Sequence, residues 1–190
     1  MGLIPLGFWA ASGAGGGGAA ADYELISTTV LGSSAASVTF SGLGTSAAAY
    51  KHLQVRYVAR DNRGISGPNN VTARLNGDTG SNYSHHRLYG DGSTVSSFAS
   101  SSVTSFMAGA ISSNNDTADA FGATVLDILD FSSTSKNKTI RLLSGVKATG
   151  SAIQMSSGAW YSTAAMTSLE IIATSGSFIT GSRFSIYGLK

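Results

Sequence analysis

The chain has 190 residues, no cysteine, two prolines and 24 glycines, and only 12% of it is charged, against about a quarter in ordinary globular domains. Twelve Lys and Arg against ten Asp and Glu leave a formal charge of +2, too small a surplus to point to nucleic acid. With 32 Ser, 17 Thr and a hydrophobic fraction of 42%, the composition excludes a charged disordered tail, a coiled coil, a disulfide framework, a zinc finger and a thiol nucleophile, and it favours β structure.

Residues 1–22 read as an arm. The apolar stretch from Leu3 to Ala11 is broken by Pro5 and Gly7, too soon for a membrane-spanning helix. No Lys or Arg precedes Lys51, which argues against a secretory signal peptide. The Gly/Ala tract that follows has little to bury and behaves alone as a flexible coil. Leu3, Ile4, Leu6, Phe8 and Trp9 are the expected anchors, buried in a partner, with the glycines letting the backbone through a narrow gap.

From Tyr23 the period changes to two. Leu53, Val55, Tyr57 and Ala59 alternate with Gln54, Arg56 and Arg60, and Val58 interrupts the polar face; this predicts a half-buried strand. Val71, Ala73 and Leu75 alternate in the same way. Thr124–Phe131 is almost continuously apolar and predicts a central strand covered on both sides, with Asp127 needing a partner or an exposed edge. Further strands are expected at 139–143, 153–155, 167–173 and 183–187. Asn76-Gly77 is a type I′-competent turn, and Gly90, Gly92, Gly145, Gly150, Gly158, Gly176 and Gly181 punctuate the rest. No stretch has a helical apolar period; 47–49 and 115–121 each suit one helical turn. About nine to eleven short strands at this spacing predict one antiparallel, jelly-roll-like β-sandwich over residues 23–190.

The chemistry-bearing residues do not assemble into an active site. His85 and His86 are adjacent on a strand and point to opposite faces, so they do not share a metal; His52 stands alone. Asn76-Gly-Asp78-Thr-Gly-Ser-Asn82 spaces oxygen donors as calcium loops do, but it lacks the loop length and the closing bidentate Glu, and turns use the same residues for backbone reasons. Asp91 lies in a similar Gly-rich turn. The only glutamates are Glu24 and Glu170, and Asp127 and Asp130 face opposite ways. Gly-x-Ser-x-Gly and a phosphate loop are both absent. No catalytic residue, cofactor or metal is expected. Arg56, Arg60, Arg63, Arg74 and Arg87 make a modest basic group better suited to solvated faces or intersubunit ion pairs than to nucleic acid. Sequons at Asn70, Asn82, Asn115 and Asn137 arise easily in so Ser/Thr-rich a chain.

Several strings carry a family resemblance: Tyr23-Glu-Leu-Ile-Ser-Thr-Thr-Val30, Ser37-Val-Thr-Phe40, Tyr50-Lys-His-Leu-Gln-Val55, Leu75 to Ser84, Leu88-Tyr-Gly-Asp-Gly92, Gly158-Ala-Trp160 and Phe184 to Lys190. Together with the opening Ile4-Pro-Leu-Gly-Phe-Trp-Ala-Ala-Ser12, the chain resembles small virion proteins of tailed bacteriophages. The resemblance runs from about Tyr23 to the C-terminus and brings no catalytic residues. It implies a β-rich homotrimer in the phage particle, with the N-terminal arm plugged into another virion protein and no membrane insertion. Two roles follow. The first is a tail fibre or receptor-binding protein whose sandwich contacts the host surface, a glycan being the expected ligand and Tyr83, Tyr89, Trp160 and Tyr161 the candidate contacts, with a core role for Trp160 an equal alternative. The second is a decoration, cement or head-fibre protein of the capsid.

Overall fold

The computed structural model describes residues 22–147, 149 and 151–190. The strands are β1 Tyr23–Val30, β2 Ser37–Phe40, β3 His52–Asp61, β4 Asn69–Leu75, β5 Tyr83–Gly90, β6 Val95–Val103, β7 Phe106–Ser113, β8 Gly122–Leu129, β9 Lys138–Lys147, β10 Ser151–Trp160, β11 Leu169–Ala173 and β12 Arg183–Leu189. One helical turn, α1 Leu43–Ser46, sits between β2 and β3, just ahead of the Ala47–Ala49 turn expected from sequence. The all-β expectation holds, with twelve strands against the nine to eleven expected; β1, β2, β5, β6 and β7 are those the alternation does not single out.

The strands form two layers of unequal size. A large antiparallel sheet runs β1-β12-β3-β8-β9-β10-β5-β6, and a small one runs β2-β11-β4-β7. They join where the end of β7 lies parallel to the end of β3, Arg60 opposite Ser112 and Asp61 opposite Ser113.

Alternation decides which side of each strand is inside. On β3, Leu53, Val55, Tyr57 and Ala59 are buried, as are Leu126 and Ile128 of β8, Ile140 and Leu142 of β9, and Phe184 and Ile186 of β12. The small sheet answers with Val38, Phe40, Val71, Ala73, Leu75, Leu169 and Ile171. Each of the larger side chains contributes about 1.5–3 kcal/mol on burial. Phe184 organises the centre, stacked on Tyr57 at 5.3 Å and meeting the edge of Phe178 at 4.9 Å.

Strand β7 is buried along its whole length, because it pairs with β4 on one side and lies across the inner faces of β8, β9 and β10 on the other. The small residues Ala108, Gly109 and Ala110 at its middle allow that approach. Gly109 has φ 141°, and a Cβ there would sit 2.6 Å from Thr124 Oγ1, so the position requires glycine. In the gap the Tyr57 hydroxyl donates to Ala108 O (2.8 Å), and Ser144 Oγ accepts from Ala110 N (3.0 Å) and from Thr124 Oγ1 (2.8 Å).

Among the described residues nothing covers the outward face of β3, β8, β9 and β10. The expectation that β8 is covered on both sides is therefore corrected: its Val125 and Asp127 look into the open.

Candidate functional site

The four aromatic residues expected at a ligand site separate into different environments. Tyr83 is fully buried and Trp160 is 3% exposed, so neither can touch a ligand. Tyr83 packs between Phe106 (6.1 Å) and Trp160 (6.4 Å). Its hydroxyl accepts from Leu75 N (3.0 Å) and donates to Asp78 O (3.1 Å), and burial pushes its pKa up to about 12. Tyr89 is half-buried on the inner side of β5, under the Arg87 guanidinium at 5.7 Å. Tyr161 is exposed and shares a 2.8 Å hydrogen bond with Ser84 Oγ. Trp160 takes the core role held open for it, and the 76–82 turn folds back over it and over Tyr83. The anchors Leu3, Ile4, Leu6, Phe8 and Trp9 lie outside the described residues.

The loop with calcium-like spacing is a structural clasp. Asn76 and Gly77 both have positive φ, 54° and 66°, as a type I′ turn requires. The turn carries the chain from β4 in the small sheet to β5 in the large one rather than closing a hairpin. Asp78 accepts hydrogen bonds from Trp160 Nε1 (2.7 Å), Asn82 Nδ2 (3.0 Å) and Gly80 N (2.8 Å). Those donors, Trp160 first, hold its carboxyl below the usual carboxylate range. Asn76 Oδ1 accepts from Thr167 N (2.7 Å) and Ser168 N (3.1 Å). Asp91 likewise accepts from Ser93 N and Thr94 N, which lowers its pKa in the same way, Thr94 first.

The histidines do as the strand geometry demands. His85 points inward and its pKa is lowered, mainly by burial, while His86 lies on the outward face. Among the described residues no group of three His, Cys, Asp or Glu stands close enough to hold a metal ion, and no helix is long and apolar enough to cross a membrane.

What the fold does assemble is the open face of the large sheet. Strand register arranges its side chains in three rows running across the strands. The first row is polar: Tyr187, Gln54, Asp127, Arg141, Ser157 and His86. Gln54 Nε2 donates to Asp127 Oδ1 (2.8 Å), Arg141 Nε to Asp127 Oδ2 (2.9 Å), and Arg56 Nε and the Tyr23 hydroxyl to Gln54 Oε1 (2.8 and 3.1 Å). At its β1 end Tyr23 and Tyr187 stack at 4.9 Å, with the Arg56 guanidinium 5.4 and 5.5 Å from the two rings. This ladder answers the need of Asp127 for a partner.

The other two rows are mostly apolar. Val125, Leu143, Met155 and Leu88 lie side by side on β8, β9, β10 and β5. Next to them run Val58, Ala123, Gly145, Ile153, Gly90 and Val95. The large side chains of this band are between 38% (Val125) and 74% (Val95) exposed. Small residues between large ones make hollows. One, of about 560 Å³, lies over Ala123 and Gly145 between Val58, Val125, Leu143 and Ile153; a second, of about 620 Å³, lies over Ser157 between Arg141, Leu143, Met155 and Leu88. A contiguous apolar surface of this kind marks a site of interaction more often than a chance exposure. Sequence reasoning missed it, although Val58 on the polar side of β3 and the doubled Val125-Leu126 and Leu142-Leu143 were its signals.

No protein-family model and no curated protein sequence matches this chain.

Proposed function

We propose that this chain is a non-enzymatic structural protein of a tailed-bacteriophage virion. Its N-terminal arm anchors it to a tail or baseplate component, and its sandwich attaches to the host surface, in the manner of a tail fibre or receptor-binding protein. The family resemblance of the strings from Tyr23 onward supports the setting. The observation that carries the binding role is the ladder on the open sheet face. There a stacked tyrosine pair stands beside an amide, a carboxylate and two guanidinium groups. Planar rings with converging donors and acceptors suit a polyhydroxylated ligand such as a surface glycan. Tyr161, exposed beyond the end of β10, remains the member of the first aromatic set best placed to contribute; Tyr23, Tyr187, Gln54 and Asp127 join it.

The test is made on phage carrying Tyr187→Ala or Gln54→Ala. Adsorption to the host is expected to fall about tenfold, the value of one aromatic contact of about 1.5 kcal/mol, with the copy number in the particle unchanged. Imaging of particles with this chain labelled is expected to place it on the tail. A label on the head with normal adsorption refutes the attachment role and favours capsid decoration.

A further inference from the structure

We propose that the apolar band on the open face of the large sheet is the docking site for the chain's own N-terminal segment, Leu3–Trp9. The segment named here is the anchor of the function proposed above, and the inference rests on that reading only for the word anchor: the docked arm is its state in the free subunit.

Size favours a peptide over a second sheet. From Val58 on β3 to Val95 on β6 the band crosses five strand spacings, about 24 Å, and its two rows are about 14 Å wide. That gives roughly 350 Å², less than half of the approximately 800 Å² that each partner contributes to a standard interface. Seven extended residues span about 23 Å, the length of the band.

Chemistry agrees. Residues 1–21 contain no charged side chain, and the two apolar rows contain none between Arg56 and Arg141 on one side and Arg183 on the other. Ile4, Leu6 and Phe8 fall at every second position, so an extended segment carries all three on one side, toward the hollows over Gly145 and Ser157. Pro5 has no N–H to give, which suits a segment lying on a sheet face rather than one added at its edge.

Reach favours the same chain. The described chain begins at Asp22, beside Tyr23, whose ring belongs to the open face. Leu143 lies four strand spacings across and about four residues along from Tyr23, roughly 23 Å away. The thirteen residues Ala10–Asp22, treated as a Gly-rich coil, have a root-mean-square span of about 20 Å. A linker matched to its span gives the highest effective concentration of the tethered group.

The full-length chain reports on this directly, since Trp9 and Trp160 are its two tryptophans and Trp160 is buried. An extended segment that turns Phe8 to the sheet turns Trp9 away, so the probe is Phe8→Trp/Trp9→Phe, whose acrylamide quenching is expected to resemble that of Trp9→Phe alone. It should rise severalfold when Leu143→Asp and Met155→Asp are added, two exposed positions whose change leaves the core intact. The chain has no cysteine, so Phe8→Cys is then combined in turn with Val125→Cys, Leu143→Cys and Met155→Cys and oxidised. A disulfide within one chain supports the proposal. Cross-links only between chains, no cross-link at any of the three positions, or free quenching in Phe8→Trp/Trp9→Phe each overturn it. These readouts use the isolated subunit, so they are independent of whether phage adsorption and particle labelling bear out the function.

Discussion

Asp78→Ala tests whether the 76–82 turn is a clasp that holds the two sheets together. The substitution removes three hydrogen bonds and leaves the indole N–H of a buried Trp160 without a partner. The indole–carboxylate bond contributes about 2 kcal/mol and the Gly80 and Asn82 bonds, nearer to solvent, about 1 kcal/mol together. An unfolding entropy of about 0.35 kcal/mol/K for roughly 170 ordered residues converts that loss of about 3 kcal/mol into a Tm lower by about 8 °C. Urea unfolding followed by Trp160 fluorescence and far-ultraviolet circular dichroism gives the free energy. A cycle with Trp160→Phe isolates the pair, which should couple by more than about 1 kcal/mol. The pH dependence has a fixed sign. The Asp78 carboxyl is held below its ordinary value of 3.8 in the folded protein, first by Trp160. Its stabilisation is therefore complete above the unfolded value and disappears as pH falls below it through the folded one. A loss under 1 kcal/mol at pH 7, or an undiminished gap between wild type and variant at pH 2.5, refutes the clasp.

Two further substitutions probe the interior. Gly109→Ala places a methyl against the Tyr57 hydroxyl and Thr124 at a φ of 141°, and should cost about 2–4 kcal/mol in urea unfolding. Gly145→Ala, with nothing within 4 Å of the new Cβ, is the control and should change stability by less than about 1 kcal/mol. Lys138 is fully buried, and its Nζ donates to Ser133 O (2.8 Å) and Lys136 O (2.9 Å). Lys138→Met should cost about 2 kcal/mol. Burial lowers the Lys138 pKa from 10.5, so the unfolded chain binds the extra proton between the folded value and 10.5. Wild-type stability relative to Lys138→Met should rise with pH across that window.

The inner side of the sandwich was legible because alternation reports burial strand by strand. Leu53, Val55, Tyr57 and Ala59 fall inside as their spacing requires. Strands β6 and β7 were not legible. Val95–Val103 is mostly serine and exposed, and Phe106–Ser113 is buried at every position, so neither has an amphipathic period to read. The open face was hidden for a different reason. Val125, Leu143, Met155 and Leu88 come from four strands, and only the register brings them into one row. A sequence without partners for its strands cannot show that the apolar excess of β8 meets that of β9 and β10 rather than a second layer. Tyr83 was misplaced for want of the same knowledge, since the turn that covers it and Trp160 is closed by Asp78 from across the chain.

The scarcity of charge in the composition acquires a structural meaning when the ten carboxylates are followed one by one. Asp61, Asp78, Asp91 and Asp116 each accept backbone N–H groups that fix a turn or loop. Asp127 is held by Gln54 and Arg141, Asp130 by Lys136, Glu170 lies 3.9 Å from Arg74, and Asp22 lies 3.7 Å from Lys190. Glu24 accepts from the Tyr50 hydroxyl, and Asp119 occupies a positive-φ turn position. General acid–base chemistry asks for a carboxyl with a perturbed pKa aimed into a cleft and a second group converging on it. Here Asp78, Asp91 and Asp130 have lowered values, from their turn donors or from Lys136, which makes them poorer bases. The one carboxylate on the open face, Asp127, is tied into the ladder. What this face presents instead is rings, amides and apolar hollows, with its carboxylate already paired to Gln54 and Arg141.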